Sequence, residues 1–368
     1  MSTYFSEKKL LAPPTERAAF SDRQAYVCAE LSKLAYFRFE GGHNLDQALE
    51  VVRDFVEDET KLDLLRRQLE LILGGAPGTA GEGEAALRRI LAEAGFEFVR
   101  TFSVEGTQAF FCTRKIPLEA GGEKIVAYLV FRGTEPKDFR DLRTDAKATL
   151  IEYQIDGEDE KLLFHSGYLG SFQLVQGELK TALAESKYDQ LIITGHSLGG
   201  ALAMVATRIL AAQITGACYT FGAPPIGAIE IQNRLKTPVY EIINEVDIVP
   251  RLPDPWITVF LLGLIKLLRW LTQVFAVFAK PLFGGNWDER FERFLESMSR
   301  YRHPGYVSYL VGSSTSARLR YNVSGIDKFR WWTAMIMKGG FGRFNKMFAD
   351  HSIDLYVSKL RSHGLSRN

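Results

Sequence analysis

The stretch QLIITGHSLGGALAMV, residues 190–205, decides how the rest of the chain is read. A β-branched run leads into Gly195, His196, Ser197, Leu198 and Gly199, and a segment rich in Ala, Leu and Met leads out. In a chain with 32 glycines the G-x-S-x-G pattern is weak on its own. Its setting gives it meaning, because strand, sharp turn and helix in succession form the elbow that presents a serine hydroxyl for attack. The glycines suit a tight, strained turn in which side chains would crowd the neighbouring strand and helix.

Outward from this elbow the texture is an alternation of strands and helices. Short β-rich runs occur at AFFCT near residue 109, IVAYLVF (125–131), LIIT (191–194), ACYTF (217–221) and VYEII (239–243). Helical patterns lie between several of them, at 170–186 and 198–213. That alternation predicts a mainly parallel sheet covered on both faces. Before residue 100 the chain reads as helical: DRQAYVCAELSKLAYFRFE (22–40), NLDQALEVVRDFV, KLDLLRRQLELIL and EAALRRILAEAG, with a glycine-rich loop at 74–84. After Tyr306 come a strand-like run, YVSYLV, mixed apolar and basic sequence, and a last helix at SIDLYVSKL.

The bulk composition narrows the function classes. Of the 368 residues, 46% are hydrophobic and 24% charged, enough for a large core in one α/β domain. A formal charge of +1 and the lack of a basic stripe argue against a nucleic-acid partner. Cys28, Cys112 and Cys218 are odd in number, far apart and set in apolar sequence, so they read as buried free thiols rather than a disulfide framework or metal site. The start, MSTYFSEKKLLAPPTER, has no apolar core and is no secretory signal, which points to a cytoplasmic or peripheral-membrane protein.

A serine hydroxyl is a poor nucleophile at neutral pH and needs a base, with a third group to orient that base. On this architecture the acid and then the histidine follow the serine. Asp247, in PVYEIINEVDIVPRLP, sits just past a strand end where ligand sites of open α/β sheets gather; Glu245 and Asp254 are weaker candidates. Among the downstream histidines, His363 reads as part of a polar tail, His303 precedes a strand, and His351 lies in a short polar loop before the last helix. A loop position gives His351 a modest lead over His303. The charge of a tetrahedral intermediate needs preorganised N–H donors. The Leu198 amide is one; the loop in IVAYLVFRGTEPKDFRDL offers another, held by the Thr134 hydroxyl, with Arg132 read as structural.

The blocks VAYLVFRGT, FHSGY, IITGHSLGGALA, YTFGAPPIG, NEVDIVPRLP, YRHPG and DHSIDLYV occur in an order that resembles the class 3 lipases, fungal-lipase-like members of the α/β-hydrolases, over roughly residues 100–360. The resemblance implies Ser197 as nucleophile, Asp247 as acid, and the late His351 as base, with the block around His303 structural. It also implies Thr134 and Leu198 as oxyanion donors. The family commonly carries a tryptophan a few residues after the oxyanion loop, where Leu142 stands here. Between Asp247 and His351 the chain is longer than the family's by about 50 residues, where connections are usually far shorter.

That insertion holds WITVFLLGLIKLLRWLTQVFAVFAK, residues 256–280. On a helix at 100° per residue, Lys266, Arg269, Gln273 and Lys280 fall within a sector about 60° wide, and apolar side chains dominate the remainder. These charges argue against a simple membrane span. Such a helix must lie on a membrane, cap a hydrophobic cavity or bury itself against another subunit.

The expectation is therefore one unit over 1–368: an N-terminal helical part (1–100), a catalytic core (101–251 and 301–360) and an apolar cap (252–300) facing a membrane through 256–280. The expected chemistry is hydrolysis of a carboxylic ester in a lipid through a Ser-His-Asp triad and acyl-enzyme, without metal or organic cofactor. Triacylglycerol lipase, phospholipase A1 and short-chain carboxylesterase stand as alternatives, and a non-catalytic lipid-binding scaffold is the contrasting class.

Overall fold

The computed structural model describes residues 4–13, 19–37, 80–118, 121–133, 149–210, 216–251, 296, 298–339 and 349–367. In chain order its elements are α1 (Asp22–Leu34), α2 (Ala80–Glu93), β1 (Glu97–Val104), β2 (Thr107–Pro117), β3 (Glu123–Phe131), β4 (Leu150–Gln154), β5 (Lys161–His165), α3 (Ser166–Glu185), β6 (Gln190–His196), α4 (Leu198–Leu210), β7 (Gly216–Phe221), β8 (Gly227–Ala228), α5 (Glu230–Asn233), β9 (Val239–Asn244), β10 (Tyr301–Arg302), β11 (Tyr306–Val311), β12 (Arg318–Arg320), α6 (Gly325–Gly339) and α7 (Ile353–Arg367).

The main sheet has the order β1-β2-β3-β6-β7-β9-β11-β12. Its centre, β3 through β11, is parallel; β1, β2 and β12 add antiparallel edges. Period-2 alternation sends Val126, Tyr128 and Val130 of β3 into one apolar layer and Ala127, Leu129 and Phe131 into the other. The first layer is closed by α1, α2 and α7, the second by α3 and α4. Burial on both faces explains why β6 and β7 read as continuous apolar runs and are buried at every position. This is the mainly parallel, helix-flanked sheet of the α/β-hydrolase fold. Cys28, Cys112 and Cys218 are buried free thiols, and burial pushes the Cys28 thiol up to about 12.

Several expectations need correction. The loop expected over 74–84 ends sooner, since α2 begins at Ala80. A second, antiparallel sheet, β10-β8-β5-β4, was not foreseen, because its strands are two to five residues long and β4 and β5 are half exposed. His363 is no tail residue: it is buried in α7 and meets Asp22 Oδ1 at 3.2 Å. The helical patterns at 44–56 and 61–73, the segment 256–280, Asp254 and Thr134 lie outside the described residues.

Candidate active site

Three strand ends build the site. β6 runs directly into Ser197, whose φ of 58° is rare for a residue with a side chain and marks the strained elbow. The turn closes because its glycines permit it: a Cβ on Gly195 would strike the Gly199 carbonyl, and one on Gly199 the Phe131 carbonyl of β3. The Ser197 amide donates to the Phe221 carbonyl of β7 at 2.9 Å, and Leu198 opens α4. The Leu198 N–H therefore belongs to the first turn of a helix, where no intrahelical acceptor meets it. The Ser197 hydroxyl is buried and has no hydrogen-bond partner among the described residues.

Past β9, the turn places Asp247 with its carboxylate wholly buried. Oδ1 accepts from the Val249 amide at 2.9 Å; Oδ2 accepts from the Tyr356 hydroxyl at 2.6 Å and from His351 Nδ1 at 2.7 Å. A carboxylate can only accept, so the His351 proton sits on Nδ1 and Nε2 is the basic nitrogen. His351 ends a short 3-10 turn, Ala349–His351, immediately before α7. The Tyr356 hydroxyl in turn accepts from the Asn244 amide at 2.9 Å. Burial first, and the Asp247 charge second, hold the Tyr356 phenol well above its ordinary range, so it stays a donor.

His351 is brought to the elbow by His196, the residue before the serine. The two rings lie 4.5 Å apart, and His196 Nε2 donates to the His351 carbonyl at 2.7 Å. With that tautomer, His196 Nδ1 accepts from the Tyr36 hydroxyl at 2.7 Å. Burial, then the neighbouring His351, keep the His196 ring neutral by lowering its pKa well below 6.5. Asn244 adds a further brace: its Nδ2 donates to the Asp350 carbonyl at 2.8 Å, while Oδ1 accepts from buried Lys359 Nζ at 2.6 Å.

The other candidates are engaged elsewhere. His303 Nδ1 meets Glu241 Oε2 at 2.6 Å and its Nε2 donates to the Pro250 carbonyl at 2.7 Å, so it clamps the turn after Asp247 to β9. Burial alone would lower its pKa, but the Glu241 carboxylate outweighs that and raises it. Glu245 accepts from the Gly312 amide at 3.1 Å and lies 3.6 Å from Lys359 Nζ. Arg132 donates to Gln108 Oε1, in keeping with a structural role.

The sequence reading missed Tyr36, His196, Gly222, Asn244, Tyr356 and Lys359. All six stood inside quoted stretches, but nothing in spacing says, for example, that Gly222 faces Asp247. No group of three or more His, Cys, Asp or Glu side chains able to hold a metal occurs among the described residues.

Fold and geometry together define an α/β-hydrolase fold with a serine elbow beside an Asp-His pair. Residues 128–256 match the family described as lipase (class 3). The chain is 31% identical over 147 residues to a lipase of Rhizomucor miehei, covering 36% of this chain and 39% of that one. It is 38% identical over 100 residues to a triacylglycerol lipase of Ricinus communis, covering 23% and 19%. The chain thus spans 19% to 39% of the length of these relatives. Among solved structures, lipase II from Rhizopus niveus aligns at 19% identity with a TM-score of 0.38, over 62% of this chain and 70% of that one.

Proposed function

We propose that the chain hydrolyses carboxylic esters of acylglycerols or phospholipids by a serine acyl-enzyme mechanism. The observation that carries this reading is the His351 Nδ1 to Asp247 Oδ2 bond of 2.7 Å, seated against a strained serine elbow. Ser197 Oγ attacks the ester carbonyl as His351 Nε2 takes its proton; Asp247 holds the imidazole and stabilises its charge. The oxyanion is met by the Leu198 amide and by Thr134. His351 returns the proton to the leaving alcohol, and a water then releases the acyl group from Ser197 by the same path. The substrate is a lipid ester, with triacylglycerol preferred over phospholipid by analogy with the Ricinus communis triacylglycerol lipase.

The chain works as one unit, in which 252–300 forms an apolar cap and 256–280 contacts the lipid surface. Full burial of Ser197 and Asp247 fits a covered site. Among the described residues no helix is long and apolar enough to cross a membrane.

The test is to incubate the protein and its Ser197→Ala variant with a mixed lipid extract and identify products by mass spectrometry. Free fatty acid from the parent alone supports the reading. A folded parent that releases none, and whose Ser197 takes no fluorophosphonate label, favours a lipid-binding scaffold instead.

A further inference from the structure

Asp247 lies between β9 and the short 3-10 turn Val249–Arg251, so the direction of its carboxylate depends on an irregular stretch of main chain. Backbone bonds span that stretch from the Asp247 amide to the Asn244 carbonyl and from the Arg251 amide to the Ile248 carbonyl, each at 3.0 Å. The Glu245 and Asp247 carbonyls are both met by one side chain. Arg251 Nη2 donates to the Glu245 carbonyl at 2.6 Å, and Arg251 Nε donates to the Asp247 carbonyl at 3.0 Å. A guanidinium is a planar, rigid fork, so two acceptors bound to it are fixed relative to each other, whereas an ammonium in its place is a pivoting point charge.

Arg251 is itself held at both ends. Its backbone follows Pro250, whose carbonyl is fixed by His303 Nε2 at 2.7 Å. Its guanidinium lies 6.0 Å from the centroid of the half-buried Trp331 ring of α6, a separation at which a cation is attracted to an indole face. That ring in turn packs 5.3 Å from Tyr309 on β11, the strand beside β9. Among the described residues the donors of Arg251 go to carbonyls and not to a carboxylate, so the arginine shapes the turn and does not serve as half of an ion pair.

We propose that Arg251, backed by Trp331, is a positioning residue for the hydrolysis: it fixes the main chain at Glu245 and Asp247, and through it the approach of Asp247 Oδ2 to His351 Nδ1. It acts through the acid, and the proposal rests on the hydrolase reading above. A shift of about 1 Å at a catalytic group can cost about 100-fold in rate. Without the fork the Asp247 carboxylate still keeps its bonds from the Val249 amide and the Tyr356 hydroxyl, so the displacement is smaller and the expected loss is about tenfold.

The experiment measures kcat, KM and melting temperature on a soluble short-chain ester for the full chain, Arg251→Lys, Trp331→Leu and the double variant. Arg251→Lys keeps the charge and loses the fork; kcat should fall by about tenfold with KM within about twofold of the parent. Trp331→Leu should lower kcat by about threefold in the same way. The double variant should match Arg251→Lys within about twofold, because a ring that acts through the guanidinium has no fork left to hold. The control is Arg208→Lys in the last turn of α4, where the guanidinium forks onto Glu158 with Nη1 at 2.9 Å from Oε1; it should lower the melting temperature and leave kcat unchanged. Parental kcat in Arg251→Lys, additive losses in the double variant, or an equal loss of kcat in Arg208→Lys would each overturn the proposal. Should Arg251→Lys fail to fold, Trp331→Leu decides: a lower kcat at parental KM and melting temperature supports it, and parental kcat refutes it. A parent that cleaves no ester sinks the hydrolase reading and this inference with it, whereas a parent that cleaves while Arg251→Lys keeps its kcat sinks this one alone.

Discussion

Gly222 offers the sharpest test of the site, because it touches the acid, its tyrosine and the base at once. Its φ is 58°, and a Cβ there would stand 2.7 Å from Asp247 Oδ2, 2.9 Å from the Tyr356 hydroxyl and 3.0 Å from His351 Cε1. Gly222→Ala therefore carries two separable penalties. The left-handed backbone costs a residue with a side chain about 1–2 kcal/mol. Overpacking adds about 1–3 kcal/mol, because contacts short by roughly half an ångström must be relieved by moving the Asp-His pair. A shift of about 1 Å at a catalytic group can cost about 100-fold in rate, so kcat should fall by roughly ten- to a hundredfold. Gly106 is the control: its φ is 83° and nothing lies within 4 Å of its Cβ. Gly106→Ala should lose about 1–2 kcal/mol and no activity. The assay is hydrolysis of a soluble ester together with urea unfolding for both variants. If Gly222→Ala matched Gly106→Ala in stability and kept parental turnover, the Asp247 and His351 arrangement would not be the catalytic one.

Ser197→Ala and His351→Ala should each lower kcat by on the order of 10⁴-fold, whereas folded His303→Ala keeps much of it; an inactive His303 variant beside an active His351 variant would reverse the assignment. Ser197→Gly should melt above Ser197→Ala, since glycine alone relieves the positive φ; equal melting temperatures would show that the elbow stores no strain. Replacing Lys359 by Met strips the ammonium from Asn244 Oδ1, and the expected loss is about 2–4 kcal/mol in unfolding free energy with a several-fold drop in kcat as the Asp350–His351 turn loosens. Stability should decline on both sides of pH 6.5 for opposite reasons. His303 is raised above 6.5 in the fold, so its contribution is whole below that pH and is lost as pH climbs through the higher folded value; His303→Gln should flatten the alkaline limb of a melting profile. His196 and His165 are lowered by burial, His165 to about 4, so their contributions are whole above 6.5 and are lost as pH falls; His165→Asn, which can still cap α3, should flatten the acid limb.

The parts of this protein that were legible in sequence are those governed by local pattern. The two-sided burial of β3, β6, β7 and β9 leaves continuous apolar runs, and the glycines around Ser197 answer to a local steric demand. Even a resemblance only names positions; it does not say what holds them. β4 and β5 were missed because Leu150–Gln154 and Lys161–His165 are short, half exposed and carry charges, which removes both the apolar run and the clean alternation. His363 was misread because its partner, Asp22, is 341 residues away, and no window along the chain connects them. The braces around the triad, Tyr36 on His196, Lys359 on Asn244 and Tyr356 on Asp247, are likewise distant pairs whose meaning appears only when the strands are in register.

Those braces also show that the site reaches beyond the 128–256 segment that carries the family match. The last turn after α1 supplies Tyr36, whose hydroxyl fixes His196; within α1, Ser32 Oγ lies 3.1 Å from Thr194 Oγ1 one turn of chain before the elbow. From the other end, α7 supplies Tyr356 to Asp247 and Lys359 to Asn244. The two helices are tied to each other as well, by Lys33 with Asp354 at 2.8 Å and by Arg367 with Asp22 at 3.0 Å. Half-exposed ion pairs of this kind add little energy individually. They join α1 and α7 near both ends of the two helices. The His196 and His351 rings thus lie together because residues near both ends of the described chain close on the same strand end. The serine motif in the middle contributes Ser197 and His196, and the contacts that orient His351 and Asp247 are contributed largely from outside it.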